Sequence, residues 1–120
     1  MKSDNVVQQK SYDFALRIIR LYKFLVEEQK EFVLSKQILK SGTSIGANIE
    51  EAIGGQSGKD FLSKMSIAYK ETRETHYWLR LLRDSEYLKS NVTDKVLNDC
   101  EELLKIIGSI SRKMKNNLNS

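Results

Sequence analysis

Hydrophobic residues recur at three- and four-residue intervals along most of the chain, which is the spacing of one face of an α-helix. The segment Ser41–Ile53 keeps this spacing although it contains Gly42 and Gly46 and has the composition of a loop. Each glycine inside a helix costs about 1 kcal/mol relative to alanine. We therefore expect a neighbouring helix to approach closely at this segment and to offset that cost.

The apolar pattern and its interruptions predict four helices. The break at Glu27–Glu31 rests on a polar run and a shift in hydrophobic phase, because it contains neither Gly nor Pro. Gly54–Gly58 is a clear stop, and Ser57 suits an N-cap with Asp60 in the first turn that follows. The predicted helices span about residues 7–27, 32–53, 59–86 and 93–116.

Helices of roughly 20–28 residues are about 30–42 Å long. Joined by short connections, they predict an all-α protein: a single domain over residues 1–120, folded as an antiparallel up-down-up-down four-helix bundle. A coiled coil of fewer, longer helices is the alternative, and the glycine run argues against it. The most regular seam lies in the fourth helix and consists of Val96, Cys100, Leu103, Ile107, Ile110 and Met114.

Composition supports this interpretation. The chain has no proline and 30% charged residues, which is typical of helical proteins. The single Cys100 cannot form an internal disulfide and favours a reducing compartment. The sequence shows neither a signal-peptide core nor a run of apolar residues long enough to span a bilayer, so we expect a cytoplasmic protein without a membrane segment.

The net charge of +4 resides entirely in the last part of the chain. Residues 103–120 contain four basic groups and no acidic group, whereas acids and bases before Leu103 are equal in number. A basic end steers a protein toward nucleic acid or another polyanion. A helix C-terminus also favours cations through its dipole, with no ligand involved. Both explanations stay open here.

Catalytic and metal sites find little support. His76 is the only histidine, and Arg73 stands where a Glu-x-x-His metal motif needs an acid. Cys100 lies on the apolar seam, where a thiol behaves as a small hydrophobe. Gly54–Gly58 lacks the Lys-Ser/Thr ending of a phosphate-binding loop. We therefore predict no enzyme activity, no metal and no cofactor.

Basic residues interleaved with aromatic residues on helices one and three are the strongest functional indication. Arginine binds phosphate in a fork and stacks on bases. Glu74, Asp84 and Glu86 lie close by in sequence, so a solvated, salt-bridged face is the alternative. With the basic tail, the candidate nucleic-acid-binding residues are Arg17, Arg20, Arg73, Arg80, Arg83, Arg112, Lys113 and Lys115.

Four further residues are candidates for an oligomer interface. Glu50 and Glu51 lie near the end of the second helix, where the dipole disfavours anions. They indicate either a basic partner on another helix or subunit, or plain solvation. Trp78, next to Tyr77, is either a residue at the rim of the core or an interface anchor.

Three blocks of the sequence resemble the bacterial four helix bundle protein family, also called the 23S rRNA intervening-sequence protein family. They are residues 41–52 (SGTSIGANIEEA), Asp60-Phe61 with Ser66–Ala68, and residues 77–84 (YWLRLLRD). The resemblance runs from about Lys10 into helix four. It implies a small cytoplasmic protomer in a ring-like homopentamer, with no recognised catalytic residue. The accessory variability determinant of diversity-generating retroelements, which accompanies their reverse transcriptase, is similar.

Charge placement and resemblance together predict a non-enzymatic, oligomeric protein. It would bind rRNA or other RNA or DNA, or serve as a scaffold for a nucleic-acid-processing complex. The alternative is a protein–protein adaptor that does not itself bind nucleic acid.

Overall fold

The computed structural model describes the backbone of residues 2–119 and the side chains of residues 6–119. Its helices are α1 (Lys2–Glu27), α2 (Leu34–Ile53), α3 (Gly58–Asp84) and α4 (Ser90–Asn119). Each helix packs against the next and α1 also packs against α4, in a body of 50 × 21 × 20 Å. The predicted antiparallel up-down-up-down four-helix bundle is confirmed.

The helix ends differ from the sequence pattern by a few residues. The fourth helix begins at Ser90, because Thr93 is buried within its first turn and its hydroxyl donates to the carbonyl of Lys89 at 2.7 Å. The third ends at Asp84, because Glu86 adopts a left-handed conformation with φ 68°. Hydrophobic periodicity marks the faces of helices and says little about their last turn.

Two connections, residues 28–33 and 85–89, lie at one end of the bundle, which we name the closed end. Each contains a non-glycine residue with positive φ, namely Lys30 at 53° and Glu86 at 68°. After Lys30, the Glu31 N–H donates to the carbonyl of Leu25 at 2.9 Å. Such a six-residue bond across a left-handed residue is the Schellman ending of a helix. It explains why α1 can stop without Gly or Pro.

The side chain of Glu31 then caps the N-terminus of α2. Its carboxylate accepts backbone N–H groups from Val33 (3.2 Å), Leu34 (3.0 Å) and Ser35 (2.7 Å). Burial alone would raise the pKa of Glu31, but the N–H donors of Leu34, Ser35 and Val33 outweigh it and lower the pKa. At the start of α3, the predicted cap is confirmed, because the Ser57 hydroxyl accepts the Asp60 N–H at 3.1 Å.

The close approach predicted from the glycines occurs between α1 and α2. A Cβ atom on Gly42 would lie 2.8 Å from two carbons of Ile18, and one on Gly46 would lie 3.4 Å from the Ser11 hydroxyl. Gly42 therefore faces a side chain that leaves no room for a methyl group. The α1–α2 contact supplies the packing that offsets the two glycines.

The core follows the predicted apolar faces over most of the length. On the α4 seam, Val96, Cys100, Leu103 and Ile107 are buried. The last two seam positions, Ile110 and Met114, are only partly buried. They lie at the opposite end of the bundle, named the open end, which carries the connection 54–57 and the C-terminal part of α4.

Candidate nucleic-acid interface

Ion pairs fix how α3 lies against α4. His76 Nε2 lies 3.0 Å from Glu101 Oε2, and Arg83 NH1 lies 3.0 Å from Asp94 Oδ1. Arg83 also reaches Asp84, through Nε at 2.8 Å. In the half of the α3–α4 face that leads to the closed end, His76 and Arg83 thus both meet carboxylates of α4.

A second set of ion pairs joins α1 to α4. Arg17 pairs with Asp99, and Lys10 Nζ lies 3.2 Å from Glu102 Oε1. Two of the candidate nucleic-acid ligands, Arg17 and Arg83, are thus already paired with carboxylates of this chain. A phosphate would have to compete with those carboxylates for either guanidinium.

Toward the open end the same α3–α4 face is cationic. Because the helices are antiparallel, Arg73, one turn before His76, and Lys105, one turn after Glu101, both lie beyond that ion pair. No acidic residue follows Glu102 in α4. The exposed group Arg73, Lys105, Arg112 and Lys115 is named the cationic patch. Among the residues that the structure describes, none of the four has a carboxylate in ion-pair contact.

Lys105 is the residue that sequence reasoning left out of this group. Its position in the charge pattern was visible, but its proximity to Arg73 depends on the pairing of α3 with α4. Lys113, by contrast, is rotated by about 100° from Arg112 on the helix and faces away from the patch. It lines a cavity at the open end.

The aromatic residues of α3 form a separate cluster. The Tyr77 and Trp78 rings meet edge to face with centroids 5.1 Å apart, and the Arg80 guanidinium lies 5.8 Å from the Tyr77 centroid. Tyr77 is 47% exposed and Leu81 36%. The Trp78 Nε1 atom is buried and has no hydrogen-bond acceptor. Such a cluster can support a base or a protein surface.

The candidate interface carboxylates have partners on neighbouring helices of the same chain. Gln8 donates through Nε2 to both oxygens of Glu50, at 3.0 and 2.8 Å. Lys64 Nζ lies 3.3 Å from Glu51 Oε1. Both pairs are exposed, so they also lie where a second subunit could reach them.

Cys100 is buried as predicted, and its Sγ donates to the carbonyl of Thr72 at 3.3 Å. Burial, with a smaller effect from Glu101 and Asp99, raises the pKa of the thiol to about 12. The thiolate required for nucleophilic or metal chemistry is therefore suppressed at neutral pH. Over residues 6–119, whose side chains the structure describes, no group of three His, Cys, Asp or Glu residues is arranged to hold a metal ion.

These features define the class of the protein: a small all-α bundle whose chemistry is displayed on its outer faces. The chain belongs to the 23S rRNA-intervening sequence protein family, whose model matches residues 3–109. The family resemblance predicted from the glycine-containing block and the YWLRLLRD block is thereby confirmed.

A crystal structure supports the same assignment. It is that of a protein of unknown function from the S23 ribosomal protein family of Bacteroides thetaiotaomicron, 56% identical to this chain, with a TM-score of 0.90. The match covers 92% of this chain and 98% of that one. No curated protein matches the chain. None of the described helices combines the length and the apolar character needed to cross a membrane.

Proposed function

We propose that this protein is a non-enzymatic, oligomeric nucleic-acid-binding protein of the cytoplasm that contacts RNA or DNA through the cationic patch. The observation that carries the proposal is the segregation of charge along α3 and α4. His76 and Arg83 of α3 are paired with acids of α4, whereas none of the four patch residues has an ion-paired carboxylate among the described residues. Arg20, Arg80 and Lys113 are exposed cations outside the patch and extend the surface available to a polyanion.

Pairing decides which cations are available to phosphates. A free surface lysine or arginine that meets a phosphate releases the counterions condensed there, which is the main source of affinity in non-specific binding. An arginine already bound to a carboxylate leaves that carboxylate behind as a repulsive neighbour. The cationic patch should therefore contribute more than Arg17 and Arg83, although its members Arg73, Arg112 and Lys115 were candidates from the sequence on the same footing.

The test is a salt-titrated binding assay with structured 23S rRNA fragments and duplex DNA at about 50–200 mM salt. We compare the double variant Arg112→Gln/Lys115→Gln with Arg17→Gln/Arg83→Gln, which removes the same formal charge. The slope of the logarithm of the association constant against the logarithm of salt concentration is negative. Removal of two patch contacts should make it less steep by about 2 and weaken binding to all sequences similarly. The control double variant should change the slope far less.

Two results would contradict the proposal. The first is the absence of binding by the wild-type protein at the lowest salt. The second is an equal loss in the two double variants, which would show that net charge matters and that its placement does not. Thermal unfolding of each variant, followed by circular dichroism, verifies that a loss of binding is not a loss of folding.

A second candidate function, a protein–protein adaptor, is favoured by the cluster around Tyr77 and Trp78. The Tyr77 ring is exposed, and the buried indole N–H of Trp78 has no acceptor among the described residues. The solution mass, measured by light scattering before and after nuclease treatment, separates self-association from assembly on nucleic acid. The homopentamer that the family resemblance implies should survive the nuclease. Loss of that mass in Tyr77→Ala but not in Tyr12→Ala, a more exposed tyrosine on α1, would assign the cluster to the subunit interface.

A further inference from the structure

The apolar seam of α4 continues into a region where nothing fills it. Ile107 is fully buried, but Ile110 and Met114, the next positions of the same seam, keep part of their surface accessible. Helix α2, which lies diagonally across the bundle from α4, has already ended at Ile53. The connection that follows it consists largely of residues with little or no side chain, including Gly54 and Gly55. The bundle is therefore incompletely packed at its open end.

The missing packing leaves a cavity of about 440 Å³ that opens to solvent. Apolar side chains from three helices form most of its wall, namely Ala52, Ile53, Phe61, Ile110 and Met114. An apolar cavity of about 150 Å³ is enough to bind benzene, and ligand pockets commonly measure about 300–1,000 Å³. The volume thus suits an alkyl chain or an aromatic group.

The mouth of the cavity carries charge of one sign. Lys113 is the one ionisable residue of its lining, and no carboxylate of the described residues is in ion-pair contact with it. The lining also includes Ser57 and Gly58, where α3 begins. The Asp60 N–H of that turn already donates to the Ser57 hydroxyl, and the Asp60 carboxylate lies in the same turn, so Lys113 is the group that would bind an anion here.

We propose that this cavity binds a small amphipathic carboxylate, with its apolar part against Phe61 and Met114 and its carboxylate at Lys113. The proposal combines the apolar volume with the single uncompensated cation at its mouth, so it requires both halves of the ligand. Lys113 lies off the cationic patch, so binding to the cavity can be measured in the absence of nucleic acid.

The test uses three probes with the same alkyl chain: octanoate, octanol and octylammonium. Methyl-detected NMR of the full chain in the absence of nucleic acid, with labelled isoleucine and methionine, follows their titration. Octanoate should shift the methyl signals of Ile53, Ile110 and Met114 and leave that of Ile38, which is buried near the closed end, unchanged. Its affinity should exceed that of octanol, and octylammonium should bind most weakly.

The variant Lys113→Gln should weaken octanoate binding about tenfold, because it removes a charge-assisted contact, and should leave octanol unaffected. Lys115→Gln, which removes the same charge from the other side of α4, should have no such effect. Three results would overturn the proposal. The first is equal affinity for octanoate and octylammonium, and the second is that octanoate shifts only methyl groups that do not line the cavity. The third is the same octanoate affinity in the two lysine variants. None of these results bears on the salt-dependence assay, which would fail or succeed separately.

Discussion

The closed end and the open end of the bundle differ in glycine content, in backbone conformation and in the pairing of their charges. At the closed end the connections contain no glycine, yet Lys30 and Glu86 adopt left-handed conformations. Glu31 caps α2 there, and Arg83 pairs with Asp84 and Asp94. At the open end the connection is rich in glycine, yet none of its glycines has a positive φ. The C-terminal part of α4 carries cations without acids.

The two ends therefore differ in how far their polar and apolar groups are satisfied within the chain. At the closed end, Glu31 satisfies three backbone N–H groups and Arg83 has two carboxylate partners, although Phe32 and Val33 are exposed there. At the open end, the patch residues have no ion-paired carboxylate among the described residues, and Ile110 and Met114 stay partly accessible. Such unsatisfied groups cost stability and are where binding partners are expected.

The largest contrast should appear when a large apolar side chain is shortened at each end. Leu82 is fully buried near the closed end, so Leu82→Ala should cost about 2–5 kcal/mol of the free energy of unfolding. Met114 borders the open cavity, and Met114→Ala should cost less than about 1 kcal/mol because most of the cavity cost is already present. Urea unfolding measures both. Equal losses would mean that the open end is closed by packing in solution.

The next largest contrast should be between the caps of α2 and α3, measured as the loss in the free energy of unfolding when each is removed. Glu31→Ala should cost about 1–2 kcal/mol, because it leaves three backbone N–H groups without their acceptor. Ser57→Ala removes a single exposed bond and should cost about 0.5–1 kcal/mol.

The effect of Glu31 also has a pH dependence with a defined sign. The pKa of Glu31 is lowered in the folded state, so its contribution is complete above the unfolded-state pKa and is lost as pH falls through the folded-state pKa. Urea unfolding at neutral and acid pH should therefore show the wild type and Glu31→Gln converging in acid. A constant difference between them would refute this role of the carboxylate.

Between the two ends, the α1–α2 contact provides a matched pair of glycines. Gly42→Ala should destabilise by about 1 kcal/mol, because overpacking against Ile18 outweighs the gain in helix propensity. Gly46→Ala meets only ordinary contact distances at Ser11 and should be neutral or stabilising by up to about 1 kcal/mol. Thermal unfolding ranks the two variants, and the reverse order would show that Gly46 is the point of closest approach.

The smallest effects are expected when a glycine is introduced at the closed end and when a glycine is removed at the open end. Lys30→Gly should stabilise by about 0.5–1 kcal/mol, since a left-handed conformation is strained for lysine. Gly54→Ala should also stabilise by about 0.4–1 kcal/mol, because its φ is −83° and a Cβ atom would make only ordinary contacts. Differential scanning calorimetry can resolve such shifts. A loss of stability in Gly54→Ala would indicate that this connection needs conformations other than the one described.

Much of the fold could be predicted from the sequence, because helical faces repeat locally. The seam through Cys100, the stop at Gly54–Gly58 and the cap at Ser57 are all local signals, and all are confirmed. The cap by Glu31 was missed, because its carboxylate acts on residues two to four positions ahead across an irregular turn. The left-handed Lys30 was missed for a similar reason, since composition there shows no glycine.

The candidate site was less accessible to sequence reasoning. Arg83 and Arg73 look equivalent along α3, but only Arg83 meets an acid of α4. Which cation finds a counterion depends on the register between helices that are far apart in the chain. The role of Lys105 beside Arg73 has the same origin.

By itself the sequence determined the number of helices, their apolar faces, the segment of α2 where a neighbouring helix approaches closely, and the family. The tertiary structure alone decided which cations are paired, which end of the bundle is incompletely packed and where backbone strain resides. The physical reason is the distance along the chain over which each interaction acts. Periodicity and capping act over a few residues, whereas ion pairing and cavity formation depend on side chains that the fold brings together from different helices.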